Sequence, residues 1–236
     1  MKKLVCFGDS ITQGTIGDAY VRHIAAQLPH LDVINAGVDG DTTYNLFQRL
    51  DTAVLQHNPT AVLIMVGLND FGTAYGELLS RVYYRRLKKV PIAIDIPAFE
   101  TLYDGIIQRL LRAGILTILC TPTTLGEVPD TAGQFILDGY VRVIQQLATR
   151  HSLPIIDVRR VFVQAMRADP RVGPEYHLWM VPYDAWRIKR GMTYDQISAQ
   201  RGFRLLVDGV HLNSTGASLV AQTVIPPLQL LFPRES

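Results

Sequence analysis

Ser10 follows a short apolar run in Gly8-Asp9-Ser10, and far along the chain Asp208 and His211 share the stretch Val207-Asp-Gly-Val-His-Leu-Asn213. A serine hydroxyl becomes a nucleophile when an imidazole takes its proton, and a carboxylate on the other ring nitrogen fixes the tautomer that can do so. In one tight loop across Gly209, Asp208 can accept the His211 Nδ1 proton and leave Nε2 as the general base. Acyl transfer is the chemistry of such a set, and it also needs donors for a developing oxyanion. The backbone N–H of Ser10 is one candidate donor. Gly40, where no side chain blocks approach to the backbone, is a second, and the Asn69 side-chain amide is a third. Each residue also has a plainer reading. Ser10 is a good helix N-cap, Asp208 and His211 fit a turn-and-cap segment, Gly40 fits a turn, and Asn69 can satisfy its own loop.

The elements that must position these residues read as alternating strands and helices. Leu4–Phe7 is a buried strand, with Gly8 allowing a sharp exit. Val33–Ala36 is a second strand, ending in the flexible Gly37-Val-Asp-Gly-Asp41. Ala61–Val66 is an unbroken apolar run, which predicts a central strand buried on both faces, and it ends in Gly67-Leu-Asn-Asp70. Ile115–Cys120 and Pro154–Asp157 supply a fourth and a fifth strand. Helical spacing predicts Gly17–Leu28, a helix capped by Asp41 or Thr42 with Leu46, Leu50 and Leu55 inward, and Leu78–Val90. It also predicts Phe99–Ala113 stopped by Gly114, Phe135–His151 with Leu137, Val141, Ile144 and Leu147 inward, and Ser214 to Leu231 broken near Pro226-Pro227. This alternation predicts a three-layer α/β/α fold with a five-stranded parallel sheet in the order 2-1-3-4-5 and right-handed crossovers. Ligand chemistry in such a sheet collects at the carboxyl ends of the strands, where Ser10, Gly40 and Asn69 all fall.

The 236 residues are read as one domain, large enough to bury a core without staples. A composition of 48% hydrophobic and 19% charged residues is that of an ordinary globular protein. A net charge of +2 and the absence of a long basic run argue against nucleic acid as a partner. The densest basic stretch, Arg85-Arg-Leu-Lys-Lys89, reads as a solvated helix face, with anion steering as the other reading. Cys6 and Cys120 lie in apolar runs and read as free buried thiols, and no metal-binding spacing occurs, so neither metal nor cofactor is expected. The opening Met-Lys-Lys-Leu-Val-Cys-Phe reaches Gly8-Asp9 too soon for a signal peptide, and no run has transmembrane length, which together predict a cytoplasmic protein.

One stretch exceeds a minimal repeat. Residues 161–206 open with turns at Asp169-Pro170 and Gly173-Pro174 and hold both tryptophans, Trp179 and Trp186, with Tyr176, Leu178, Met180 and Tyr183 beside them. Two readings stand: a small helical subdomain with its own core, or a lid or pocket wall, since large apolar side chains line ligand pockets.

Four separated blocks carry a resemblance to the SGNH hydrolase superfamily, also called the GDSL esterase/lipase family: Gly8-Asp-Ser-Ile-Thr12, Asn35-Ala-Gly-Val-Asp-Gly-Asp-Thr42, Gly67-Leu-Asn-Asp70 and Asp208-Gly-Val-His211. The resemblance implies a flavodoxin-like SGNH hydrolase fold with a helical insertion before the Asp/His motif. It implies Ser10 as nucleophile, His211 as base oriented by Asp208, and an oxyanion hole from Ser10, Gly40 and Asn69. Asp9, Phe71, Trp179 and Trp186 are the candidate substrate contacts. Segments of about 71–98 and 161–206 are longer than the smallest members need, so the resemblance carries no substrate. The Gly-x-Ser-x-Gly elbow of α/β-hydrolases is absent, because Ile11-Thr12 follows Ser10.

The expected function is a serine esterase acting on a small-molecule ester through an acyl-enzyme. Acyl transfer or deacetylation on a sugar or alcohol uses the same site and is the alternative enzyme reading. A flavodoxin-like, non-catalytic scaffold for a small ligand, which a yellow flavin-bearing preparation would reveal, and an interaction scaffold using the Trp-rich stretch are the readings outside enzymes. Oligomeric state is not legible.

Overall fold

In the computed structural model, which describes residues 1–175, 177 and 179–234, five parallel strands form one sheet in the order β2-β1-β3-β4-β5. They are β1 Lys2–Gly8, β2 Leu31–Gly37, β3 Ala61–Met65, β4 Leu116–Cys120 and β5 Ile155–Ile156. The helices are α1 Ser10–Gln13, α2 Tyr20–Gln27, α3 Thr43–Ala53, α4 Leu68–Tyr75, α5 Leu78–Arg86, α6 Ile96–Arg112, α7 Ala132–Arg150, α8 Val158–Ala168, α9 Met180–Lys189, α10 Tyr194–Gln200 and α11 Ser214–Leu231.

Strand register explains why the chemistry gathers at one edge. Gly8 pairs with both Gly37 and Met65, Met65 pairs with Cys120, and Cys120 pairs with Ile156. The carboxyl ends of the strands are therefore level, and the loops that leave them emerge side by side. Side chains alternate across the sheet. Leu4 and Cys6 of β1 and Leu63 and Met65 of β3 join a core with Tyr20 and Ile24 of α2, Phe162 of α8 and Val220, Val224 and Leu228 of α11. Val5, Phe7, Val62 and Ile64 join the opposite core with Leu46 and Leu50 of α3, Phe99, Tyr103 and Ile107 of α6 and Ile144 and Leu147 of α7. Burial on both faces is why β3 is an unbroken apolar run. Cys6 and Cys120 are free buried thiols, and burial pushes the Cys6 thiol up to about 12.

Several element ends differ from the sequence reading. The helix expected from Phe99 starts at Ile96, because the Asp95 side chain accepts from Ala98 N and Pro97 sits in the first turn, where its missing N–H costs nothing. Of the two caps expected for α3, Thr42 serves, in a reciprocal pair with Asn45. Leu55 lies in a 3-10 turn after α3 and is only half-buried. The predicted break at Pro226-Pro227 does not occur, and α11 runs through both prolines. The carbonyls they leave without a donor belong to Gln222 and Thr223, which lie toward solvent, while Val224, Ile225 and Leu228 anchor the helix to the core. The fifth strand shrinks to Ile155–Ile156.

The 161–206 stretch is not an independent unit at its start, since α8 packs into the main core through Val158 and Phe162. Trp179 and Trp186 do not form a core. They are 58% and 48% exposed, and Tyr176 and Leu178 lie outside the described residues.

Candidate active site

Ser10 is placed by the tightness of the turn after β1. A side chain at Gly8 would meet Thr12 Oγ1 at 2.2 Å and the Met65 carbonyl at 2.4 Å, so only glycine lets the strand end against its neighbour. Asp9 then caps α1, its carboxylate accepting from Ile11 N at 3.0 Å. The cap is therefore Asp9, and Ser10 is the first helical residue, which leaves the Ser10 hydroxyl uncommitted to capping.

The His211 side of the site is a reverse loop just before α11. Val207 N donates to the His211 carbonyl at 2.7 Å, Leu206 bridges Leu212, and Gly209 takes a φ of 97° between them. Asp208 sits inside this loop. Its Oδ1 accepts from Val210 N and His211 N at 3.0 and 2.9 Å, and its Oδ2 accepts from His211 Nδ1 at 2.8 Å. That fixes the ring so that Nε2 faces Ser10 Oγ at 3.1 Å. Burial pushes the Asp208 carboxyl up, but the adjacent His211 charge and the hydrogen bonds outweigh it and hold the group below its usual range. Burial likewise lowers the His211 pKa, and Asp208, with help from Asp39 and Asp9, more than reverses this, so His211 lies above its ordinary value. Burial pushes the Asp9 carboxyl up to about 7.

A second layer holds the loop. Glu127 is buried and accepts from the backbone N–H groups of Arg204, Leu205 and Leu206. Asn213 donates to Ser198 Oγ and to the Arg204 carbonyl, each at 2.8 Å, while its Oδ1 caps α11 at Gly216 N. Arg201 grips both oxygens of the buried Asp184 and reaches the Val207 carbonyl. Glu127 did not stand out in the sequence, because its partners lie 77 to 79 positions away, and Asp184 and Arg201, 17 positions apart, fit no recognisable spacing.

The two residues expected as donors, Gly40 and Asn69, come from the loops after β2 and β3. Gly40 takes a φ of 70°, and a side chain there would meet Tyr83 Oη at 2.5 Å. Asn69 lies in the first turn of α4. Its Nδ2 donates to the Asp41 carbonyl at 2.8 Å, and its Oδ1 accepts from the Tyr84 hydroxyl at 2.6 Å. The Asp41 carboxylate meets Arg49 Nε and Lys88 Nζ, each at 2.6 Å, and Lys88 also donates to the Asp39 carbonyl at 2.7 Å. Arg49 further donates to the Gly8 carbonyl at 2.9 Å and lies over the Phe7 ring. Lys88 thus departs from the solvated face expected of the basic stretch: it turns inward and ties the Gly40 loop to α5.

The remaining candidate contacts are placed more loosely. Asp9 is buried and spent on its cap. Phe71, on α4, packs against Tyr75 with ring centres 5.6 Å apart. Trp179 stacks on His177 and leans on Tyr183, which in turn stacks on Trp186. His177 Nδ1 lies 3.4 Å from a Glu77 oxygen and so joins this aromatic row to the turn before α5. Among the described residues no group of His, Cys, Asp and Glu is arranged to hold a metal ion. What Ser10, His211 and Asp208 present is a hydroxyl within reach of a base whose far nitrogen is already occupied, which is the geometry of general-base activation.

Comparison with known proteins follows the same line. The model of the GDSL-like Lipase/Acylhydrolase family matches residues 6–219. An acetylxylan esterase of Geobacillus stearothermophilus is 26% identical over 184 residues, covering 70% of this chain and 80% of that protein. Among solved structures, an acetyl xylan esterase superposes with a TM-score of 0.67 at 26% identity, covering 96% of this chain and 99% of that one. A lipase/acylhydrolase from Enterococcus faecalis superposes with a TM-score of 0.66 at 23% identity, covering all of both chains, and shares the fold.

Proposed function

The chain belongs to the GDSL-like lipase/acylhydrolase family and is a carboxylic ester hydrolase, and we propose that it is a serine esterase working through Ser10, His211 and Asp208. The observation that carries this reading is the continuous relay from Asp208 Oδ2 to His211 Nδ1 and from Nε2 to Ser10 Oγ. In the proposed reaction His211 takes the Ser10 proton as Oγ attacks the ester carbonyl. The negative oxygen of the tetrahedral intermediate is held by the N–H groups of Ser10 and Gly40 and by Asn69 Nδ2. An amide nitrogen carries two protons, and one on the Asp41 carbonyl leaves the other for the oxyanion. His211 returns the proton to the leaving alcohol, and water repeats the sequence on the acyl-enzyme.

The preferred acyl group in this reading is short. Ser10 and His211 are each only 5% exposed, which leaves little open surface for a long chain, and the acetylxylan esterases similar to this chain carry an acetyl group in their names. The alcohol side is then a sugar or another small alcohol.

Hydrolysis of p-nitrophenyl esters from acetyl to palmitoyl, beside an acetylated xylo-oligosaccharide, tests this. We expect acetyl to be the best acyl group and Ser10→Ala to abolish turnover. Full activity in folded Ser10→Ala removes the serine mechanism, and a palmitoyl optimum removes the short-acyl reading.

A further inference from the structure

Helix α5 has two faces with different partners. Tyr83 and Tyr84 turn inward, toward Gly40 and Asn69. The outward face carries Leu78, Leu79 and Val82, 75%, 59% and 43% exposed, interleaved with the exposed Arg81, Arg85 and Arg86. At 100° per residue these six positions fall on one continuous arc of the helix. The turn beyond continues the pattern, with Leu87 and Ile92 exposed beside Lys89.

Two features mark this surface off from ordinary scatter. Of the 17 large apolar residues exposed among the described residues, Tyr75, Leu78, Leu79, Val82, Leu87 and Ile92 lie within this one short stretch, and such clustering marks an interaction surface. No acidic residue occurs between Glu77 and Asp95, and among the described residues Arg81, Arg85, Arg86 and Lys89 form no ion pair. The face is therefore both apolar and uncompensated in charge.

We propose that the outer face of α5 docks on an anionic lipid surface, with Leu78, Leu79 and Val82 entering the headgroup boundary and Arg81, Arg85, Arg86 and Lys89 meeting lipid phosphates. Charge complementarity selects this occupant. A second copy packed across a two-fold axis sets these cations against their own images, which costs energy at close range. A soluble polyanion pairs with the cations and leaves the leucines in water. Leu78 and Val82 form an apolar stripe flanked on both sides by Arg81, Arg85 and Arg86, so the stripe can enter a membrane interface while the arginines snorkel out to the headgroups. Among the described residues no helix is long and apolar enough to cross a membrane, so the contact proposed is peripheral. The inference is independent of the roles given to Ser10 and His211.

Vesicle co-sedimentation of the full chain tests it, using phosphatidylglycerol mixed with phosphatidylcholine against phosphatidylcholine alone. We expect binding to the anionic vesicles only, weakening as salt rises. Arg81→Gln and Arg85→Gln should each lower affinity about 5-fold, from about 1 kcal/mol per basic residue near such a surface. Leu78→Ser with Leu79→Ser should lower it further, while Arg112→Gln on α6 leaves it unchanged. All these sites are exposed, so hydrolysis of a soluble ester serves as the folding control. Equal binding to both vesicle types, or none to either, overturns the proposal. Binding that survives loss of the leucines but not of the arginines marks a polyanion site and also overturns it. A dimer in sedimentation equilibrium that Leu78→Ser dissolves, without vesicle binding, assigns the face to self-association instead.

Discussion

The two sides of the site are held by different means. The loop that carries Asp208 and His211 is fastened by buried groups of its own surroundings: Glu127 takes the N–H groups of Arg204, Leu205 and Leu206, and Asn213 ties Ser198 to the start of α11. The Gly40 loop is held by Arg49 of α3 and by Lys88 on the buried Asp41, whereas Asn69 is anchored by Tyr84, which reaches in from α5, a helix with no buried residue. A buried carboxylate cannot be removed without leaving backbone donors unpaired, whereas a hydroxyl from a surface helix can. The loop of Asp208 and His211 is thus part of what folds the protein, while the anchor of Asn69 is a single hydroxyl laid over it. Changes behind His211 should register in stability, and changes behind Asn69 should register in turnover.

The largest expected effect lies at the relay itself. Asp208→Asn should lower kcat by about 10⁴-fold, because an amide can favour the wrong imidazole tautomer. Next comes Asn69→Ala, which should lower kcat by about 10²–10³-fold with the unfolding midpoint in urea nearly unchanged; an unaltered kcat would remove Asn69 from the donor set. Glu127→Ala inverts that pattern. It should cost about 3 kcal/mol of unfolding free energy through its unpaired N–H groups, while the folded fraction keeps its kcat, and a normal midpoint with lost turnover would dissolve the contrast. The pH profile follows from His211. Only the neutral ring accepts a proton, and its pKa is raised above 6.5, so kcat/KM should fall about tenfold per pH unit below an inflection on the neutral side of that value. A flat profile down to pH 5 contradicts a histidine base. The smallest effect is Tyr84→Phe, which should lower kcat by about 5–10-fold as the Asn69 amide loses its anchor, with KM and stability little moved. An equal loss in KM alone would make Tyr84 a wall of the substrate site and not a support for Asn69.

Much of the sheet was legible because its signals are local. Apolar runs such as Leu4–Phe7 and Ala61–Val66, each closed by a glycine, fix both the strands and the edge where Ser10, Gly40 and Asn69 emerge. The proximity of Asp208 and His211 is likewise written in one loop. What the sequence hid depends on contacts between distant segments. Glu127 meets Leu205 across 78 positions, and Lys88 meets Asp39 across 49, with no periodicity to announce either. The cap reading failed at Ser10, where the neighbouring Asp9 takes the cap instead. Of the two readings of the tryptophans, the core of a small subdomain does not hold, since Trp179 and Trp186 stack along the outside.

The buried Asp208–His211 pair has one more consequence, for an enzyme whose every turnover releases an acid. The folded pKa of His211 is raised, so this group contributes stability that is fully present below about 6.5 and is lost as pH climbs through the folded value. With His211 as the proposed base, activity runs the other way. In a poorly buffered volume the accumulating carboxylic acid therefore quiets the site while tightening the fold around it. The reaction carries its own brake, and the brake releases without refolding once the acid is drawn off.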